Sequence, residues 1–234
     1  MTEPHPTKLA SAVPSRNGNE PSDTRRQILD AAERLFAERG VDGVSVRAIL
    51  KEAGVNVALA HYHFGSRAGL IAELMTSRVG PLIDEQLRSL DAVEARGQEA
   101  SLEDVLRAYC APAARLIIER PRLGRLFAQL DLSPNPDLRA LGRDMARDVL
   151  RRFGDAVVKR LPLHAEPRRL LLRFQIALGA PFHLLAHWDE FVQSTRKRFE
   201  PYHGRPDVKT LTEELVAFTA AGLRAGCKSK GGRQ

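Results

Sequence analysis

Residues 45–70, SVRAILKEAGVNVALAHYHFGSRAGL, carry polar side chains able to exchange hydrogen bonds with base edges, Arg47, Asn56 and His61 among them. Arginine forms a two-pronged pair with guanine and asparagine with adenine. Neutral imidazole offers one donor and one acceptor. Val57 and Ala58 are small and apolar, suited to the methyl group of thymine. No nucleophile elbow, glycine-rich phosphate loop or metal-ligand cluster accompanies these residues anywhere in the chain. The chemistry on offer is recognition, not bond-making, and no enzyme activity is expected.

Such side chains work only if short elements hold them in place. Ser45 is placed to cap a helix, since its hydroxyl can accept a free N–H of the first turn. Val46, Ile49, Leu50 and Ala53 then fall at helical spacing. Gly54 stands where a left-handed residue ends a helix, and Asn56 can cap a second one after a three-residue turn. That second helix, Val57 to Tyr62, has mostly small side chains, so its backbone can lie close to base edges in the major groove. Ser66 caps a third helix carried on by Leu70, Ile71, Leu74 and Met75. Upstream, Thr24 and Gln27 have capping-box spacing. Ile28, Ala32, Leu35 and Phe36 make the stripe of that first helix, and Gly40 ends it. Residues 24–79 thus predict a compact helical unit with a helix-turn-helix motif at 45–64.

TRRQILDAAERLFAERGVDGVSVRAILKEAGVNVALAHYHFGSRAGLIAEL resembles the DNA-binding domain of the TetR/AcrR family of bacterial transcriptional regulators. The IL-x-AA-x-x-LF core, the glycine after the first helix, the AGV turn and the YHFGSR elbow carry the resemblance. It implies an all-α homodimer, with an N-terminal three-helix reader and a larger helical domain that binds an effector and dimerises. Effector binding in such proteins changes the spacing of the two readers and releases the operator. The resemblance assigns Arg47 to a base or phosphate, and Asn56, Val57, Ala58 and Leu59 to the start of the recognition helix. It places His61 and Tyr62 against bases and backbone, and His63 and Arg67 on phosphate. Thr24 and Arg25 fall near phosphate at the start of the first helix. Two features depart from the pattern. The recognition helix is almost wholly apolar after Asn56, and His61 replaces the expected tyrosine or asparagine, so the chosen base pairs stay open.

Each residue also has a plainer role. Tyr62 and Phe64 could be core aromatics, and for Phe64 that is the better reading. His63 could be a surface histidine, and Arg47 and Arg67 solvated charges. His183 and His187 stand four apart, but Leu184 follows the first where a hydrolase motif needs Glu, and no third ligand is apparent. No metal and no cofactor are expected. Cys110 and Cys227 are far apart and read as free thiols in a reducing cytosol.

The chain has 234 residues, 43% hydrophobic and 28% charged, enough for a sizeable core. Its net charge of +7 suits a polyanionic partner. Within 24–80, however, eight basic side chains meet six acidic ones, so bulk charge does not single out the reader. No membrane-length apolar run or signal core is present, and a cytoplasmic, nucleoid-associated protein is expected. The expected division is a disordered arm at 1–22, the reader at 23–80, an effector-binding and dimerisation domain at 81–226, and a disordered basic tail at 227–234.

In the larger domain, helices are predicted from Pro81 after a Gly80-Pro81 break and from Ser101 to Arg120 with a kink at Pro112. Others are predicted over Pro121–Leu130, Pro136–Leu161, Glu166–Asp189 and Pro206–Ala225. The arginines at 139, 143, 147 and 151 read as a solvated face. The resemblance makes the last two long helices the dimer interface, consistent with two half-sites one DNA turn apart. Tyr109, Leu116, Phe127, Phe182 and His183 are the candidate effector contacts, for a ligand of hydrophobic or acyl type. The function expected is a sequence-specific repressor released from a palindromic operator by a small effector. The alternative is a helical small-molecule-binding module or enzyme with a vestigial reader.

Overall fold

The computed structural model describes residues 21–56, 64–131, 133–161, 168–177 and 206–225, with Gly179 and Ser194. The described elements are helices, with no strand among them. Helix α1 spans Pro21–Arg39 and α2 spans Val46–Ala53; α3, of 29 residues, spans Arg67–Ala95. A single 3-10 turn at Gly97–Glu99 leads to α4 (Leu102–Glu119), α5 (Pro121–Asp131) and α6 (Pro136–Val158). A helical segment at 168–177, here α7, and α8 (Val208–Arg224) complete the set.

Two expectations about helix ends are corrected. Helix α1 begins at Pro21, three residues before Thr24, and so reaches into the segment assigned to the arm. Proline in a first turn has its φ preset and no N–H to leave unpaired, and Asp23 adds a favourable charge there. Thr24 lies inside the helix with its side chain buried. The predicted break at Gly80-Pro81 does not occur either, because α3 runs straight through Pro81. A proline ring clashes with the Cβ of the residue before it in the α conformation, and Gly80 has none.

Two clusters form the core, and α3 belongs to both. Its first half, Leu70 to Val79, packs with Ile28, Leu35 and Phe36 of α1 and Ile49 and Leu50 of α2. Leu90, in its second half, packs with Val105 and Tyr109 of α4, Phe153 and Val157 of α6, and Leu211, Leu215 and Leu223 of α8. Burying each such side chain contributes roughly 1.5–3 kcal/mol. The first cluster reaches well beyond residue 80. Leu116, Leu123, Leu126 and Leu138 are all buried in it, so α5 is built into the core of the small N-terminal unit.

Helix α4 opens on a capping box at Ser101, the residue predicted to start it. Ser101 N–H donates to Asp104 Oδ2 at 2.9 Å, and Asp104 N–H donates to Ser101 Oγ at 3.1 Å. Pro112 sits inside α4 without ending it. Helix α6 ends at Val158, short of the predicted Leu161. There Arg160 Nε donates to the Ala100 carbonyl at 2.9 Å and Nη1 to the Ala156 carbonyl at 3.0 Å, occupying a carbonyl of the last turn. Its arginine stripe is largely solvated, as expected: Arg143, Arg147 and Arg151 are exposed, while Arg139 donates to the Ser133 carbonyl. Of the predicted 166–189 helix, 168–177 is helical; His183, His187 and Phe182 lie outside the described residues.

Candidate nucleic-acid interface

The turn motif forms as its residue types dictate. Ser45 Oγ accepts the Ala48 N–H at 3.2 Å, fixing the start of α2. Gly54 takes φ 68°, and the chain reverses there with the Val55 N–H donating to the Leu50 carbonyl at 3.0 Å. Ile49 and Leu50 turn inward, so Arg47 faces outward. Arg47 is exposed and meets no carboxylate among the described residues, leaving its five donors to solvent or a partner. Asn56 is also exposed, at the end of the turn. Val57, Ala58, Leu59, His61, Tyr62 and His63 lie outside the described residues.

At the elbow, residues 64–69, two glycines are required. Gly65 has φ 65°, a conformation that side chains disfavour. At Gly69 a Cβ would lie 2.2 Å from the Phe64 carbonyl oxygen, so only glycine lets α3 start so close to the elbow. Ser66 Oγ accepts the Gly69 N–H at 3.0 Å. Gly69 escaped the sequence reading because nothing in its local pattern distinguishes it from a tolerated helix glycine.

The two arginines assigned to phosphate have internal partners. Arg67 Nη2 donates to the Val41 carbonyl and lies 3.4 Å from that of Val44, tying α3 to the loop between α1 and α2. Arg25 pairs with Glu73 at 2.8 Å, and its guanidinium sits 5.8 Å over the Phe64 ring. Phe64 packs against the first core cluster, in line with its reading as a core aromatic. Thr24 contributes a buried side chain. Of the described candidates, Arg47 and Asn56 are therefore presented outward, while Arg25 and Arg67 first hold the unit together.

An ion-pair cluster that the sequence reading missed joins this unit to the rest. Glu33 of α1 accepts Arg78 Nε of α3 at 2.9 Å and lies 3.5 Å from Arg120 Nη2, at the end of α4. Arg78 also pairs with Asp30. The three segments that supply these residues are too far apart in sequence for any spacing rule to connect them.

Among the expected effector contacts, Tyr109 lines a small cavity in the second cluster with Cys110, Phe153, Phe174 and Thr219. Leu116 does not share it and packs instead with the first cluster. The side chain of Phe127, like Phe182 and His183, falls outside what is described. Burial raises the Tyr109 hydroxyl far above its ordinary value and pushes the Cys110 thiol up to about 12. Both are neutral at physiological pH.

This fold and turn unit define a helical, two-part helix-turn-helix protein. The family model described as bacterial regulatory proteins, tetR family, matches residues 28–74. A second, the tetracyclin repressor-like C-terminal domain, matches residues 107–222. The chain belongs to the TetR family. It is 33% identical over 77 residues to the HTH-type transcriptional regulator BetI of Rhizobium meliloti (33% of this chain, 38% of that one). It is 39% identical over 66 residues to AcrR of Shigella flexneri (27% and 31%). The match thus spans about a third of the length of these curated relatives. Over the whole fold it is similar to FadR of Bacillus subtilis, solved in complex with stearoyl-CoA. The TM-score there is 0.63 at 18% identity, covering 84% of this chain and 98% of that one. FadR of Bacillus halodurans gives 0.60 at 19%, covering 86% and 96%. At such identities the likeness is one of fold.

Proposed function

We propose that this chain is a dimeric, ligand-controlled transcriptional repressor that binds a palindromic operator. The observation that carries the reading is the capped α2–Gly54–Asn56 turn with Arg47 directed outward, in a chain of the TetR family. Direct base readout falls to Arg47, Asn56 and His61, with Val57, Ala58 and Leu59 against the bases and Tyr62, His63, Arg67, Arg25 and Thr24 toward the backbone. The reader spans 23–80 and the effector and dimer domain 81–226, flanked by the arm at 1–22 and the tail at 227–234. It acts in the cytoplasm on the nucleoid. No helix among the described residues is long and apolar enough to cross a membrane.

Two features support control by dimer geometry. Leu171, Leu172 and Ile176 of α7 are 62, 62 and 56% exposed, and Phe218 of α8 is 68% exposed. Large apolar groups left open on two neighbouring helices suit a partner copy. Leu123 and Leu126 of α5 are buried in the reader's own core, so a shift in the larger domain moves the reader as a body. The effector is a small hydrophobic molecule. The test is selection of bound fragments from random-sequence DNA at near-physiological salt. A palindrome with half-sites about one helical turn apart is expected. No enriched sequence, with binding that fades smoothly as salt rises, would overturn the proposal.

A further inference from the structure

We infer that the reader carries a ligand groove of its own, between α1, α2 and the elbow, and that it takes a small aromatic monocarboxylate. The ring lies in the groove and the carboxylate on Arg67, the side chain proposed to hold the DNA backbone. Ligand and operator then exclude one another, a consequence that rests on the regulator reading and deepens it.

The shape of the groove sets the size of the guest. Its volume is about 240 Å³. An apolar cavity of about 150 Å³ takes benzene, so there is room for one ring with a short arm. Ile28 and Leu70, 0 and 1% exposed, form its floor, with half-buried Val46 and Phe64 as its sides. Arg25 stands over the Phe64 ring and is itself paired with Glu73, which steadies that wall. A flat, rigid guest suits such a slot, since it buries apolar area with little rotational freedom to lose.

The rim sets the charge. Ser66 and Arg67 are the polar side chains among the described lining residues. Arg67 is half-buried, and both of its described hydrogen bonds leave from Nη2, to the carbonyls of Val41 and Val44. A guanidinium has five N–H donors. The three on Nε and Nη1 meet no acceptor among the described residues, and no described carboxylate pairs with the group. A carboxylate gives this charge the anionic acceptor it lacks, in a charge-assisted bond about twice as strong as a neutral one. A neutral guest gains only the burial of its ring, and a bare anion only the charge contact. A guest seated there also takes the donors that a phosphate would use and fills the gap between the elbow and α2, the helix that carries Arg47.

The test is amide NMR on the full chain without DNA, with 3-phenylpropionate, 3-phenylpropanamide and acetate as probes at neutral pH. 3-Phenylpropionate is expected to shift the Gly65 and Ser66 amides saturably. It should bind at least about tenfold tighter than the amide, the margin of a hydrogen bond to a charged group. It should exceed acetate by about as much, the margin of burying the ring. Arg67→Gln, which keeps an N–H for the loop but no charge, should bind the carboxylate and the amide alike. Shifts confined to the larger domain, equal binding of acetate or of the amide by the parent chain, or an undiminished preference in Arg67→Gln would each overturn the inference. The parent chain alone decides the first two, so a variant that fails to fold does not shield it. Added to a selected operator complex, 3-phenylpropionate should weaken operator binding in proportion to its concentration without a plateau, as mutual exclusion requires. A plateau, or no change, would overturn the exclusion. Failure to select any operator removes the regulator reading, while the NMR result still decides the groove.

Discussion

Arg47 and Arg67 look alike in the sequence, yet the structure gives them different work. Arg47 is exposed with no described carboxylate nearby, whereas Arg67 holds the carbonyls of Val41 and Val44. Removing Arg67 leaves partly buried carbonyls unpaired, a loss of about 1–3 kcal/mol. Arg67→Ala should therefore lower Tm as well as weakening all DNA sequences alike, while Arg47→Ala should leave Tm within experimental error and weaken operator binding. Melting curves and operator titrations on the two variants check this. Equal melting temperatures would contradict the division of roles. The residue type alone could not reveal it, because a guanidinium bonding to a loop carbonyl and one bonding to a phosphate have the same local sequence.

At the scale of elements, most helix starts were legible. Ser45, Ser66 and Ser101, each predicted to open a helix, accept a backbone N–H of the first turn, and Asp207 caps α8 one residue past the predicted start at Pro206. Such caps act within three residues and so leave a local signature. Helix ends at proline were not legible at Gly80-Pro81, where the local rule for stopping a helix gave way to the core packing on both sides of it. The cap of α4 also fixes a pH dependence. The Ser101 backbone N–H, then its hydroxyl, hold the Asp104 carboxyl below its usual value, with Arg96 3.1 Å away adding to this. A depressed folded value stabilises above the unfolded one, about 3.9, and is lost as pH falls through the folded one. Asp104→Asn should thus be less stable than the parent at pH 7, by up to the 0.5–2 kcal/mol typical of caps. The gap should close as pH falls through the folded value. A gap that persists unchanged in acid would show that the carboxylate is not its source.

On the scale of the whole molecule, the all-α class could be read from periodicity, because each helix carries its own stripe, whereas the two-part plan came with the resemblance. The interlock of the parts could be read from neither. Leu116, expected at an effector, instead joins Leu123, Leu126 and Leu138 in the reader's core, and Arg120 meets Glu33 across 87 positions of sequence. Long-range pairings of this kind are set by the fold and leave no spacing signal. The open apolar face of α7 and α8 makes a further prediction. Leu171→Asp should leave helix content unchanged but shift the chain from dimer to monomer in sedimentation, with operator affinity falling at least tenfold, since each half-site is then met singly. A variant that still sediments as the dimer would place the interface elsewhere.

The central claim, sequence-specific reading through the turn unit, is tested most directly by one ratio. It is the affinity for the selected operator over that for a scrambled duplex, measured at near-physiological salt for the parent chain and for Asn56→Ala. The account predicts a ratio of at least about a thousand for the parent, falling severalfold or more in the variant while scrambled-duplex affinity holds. A parent ratio near one, or a ratio indifferent to Asn56, would contradict it.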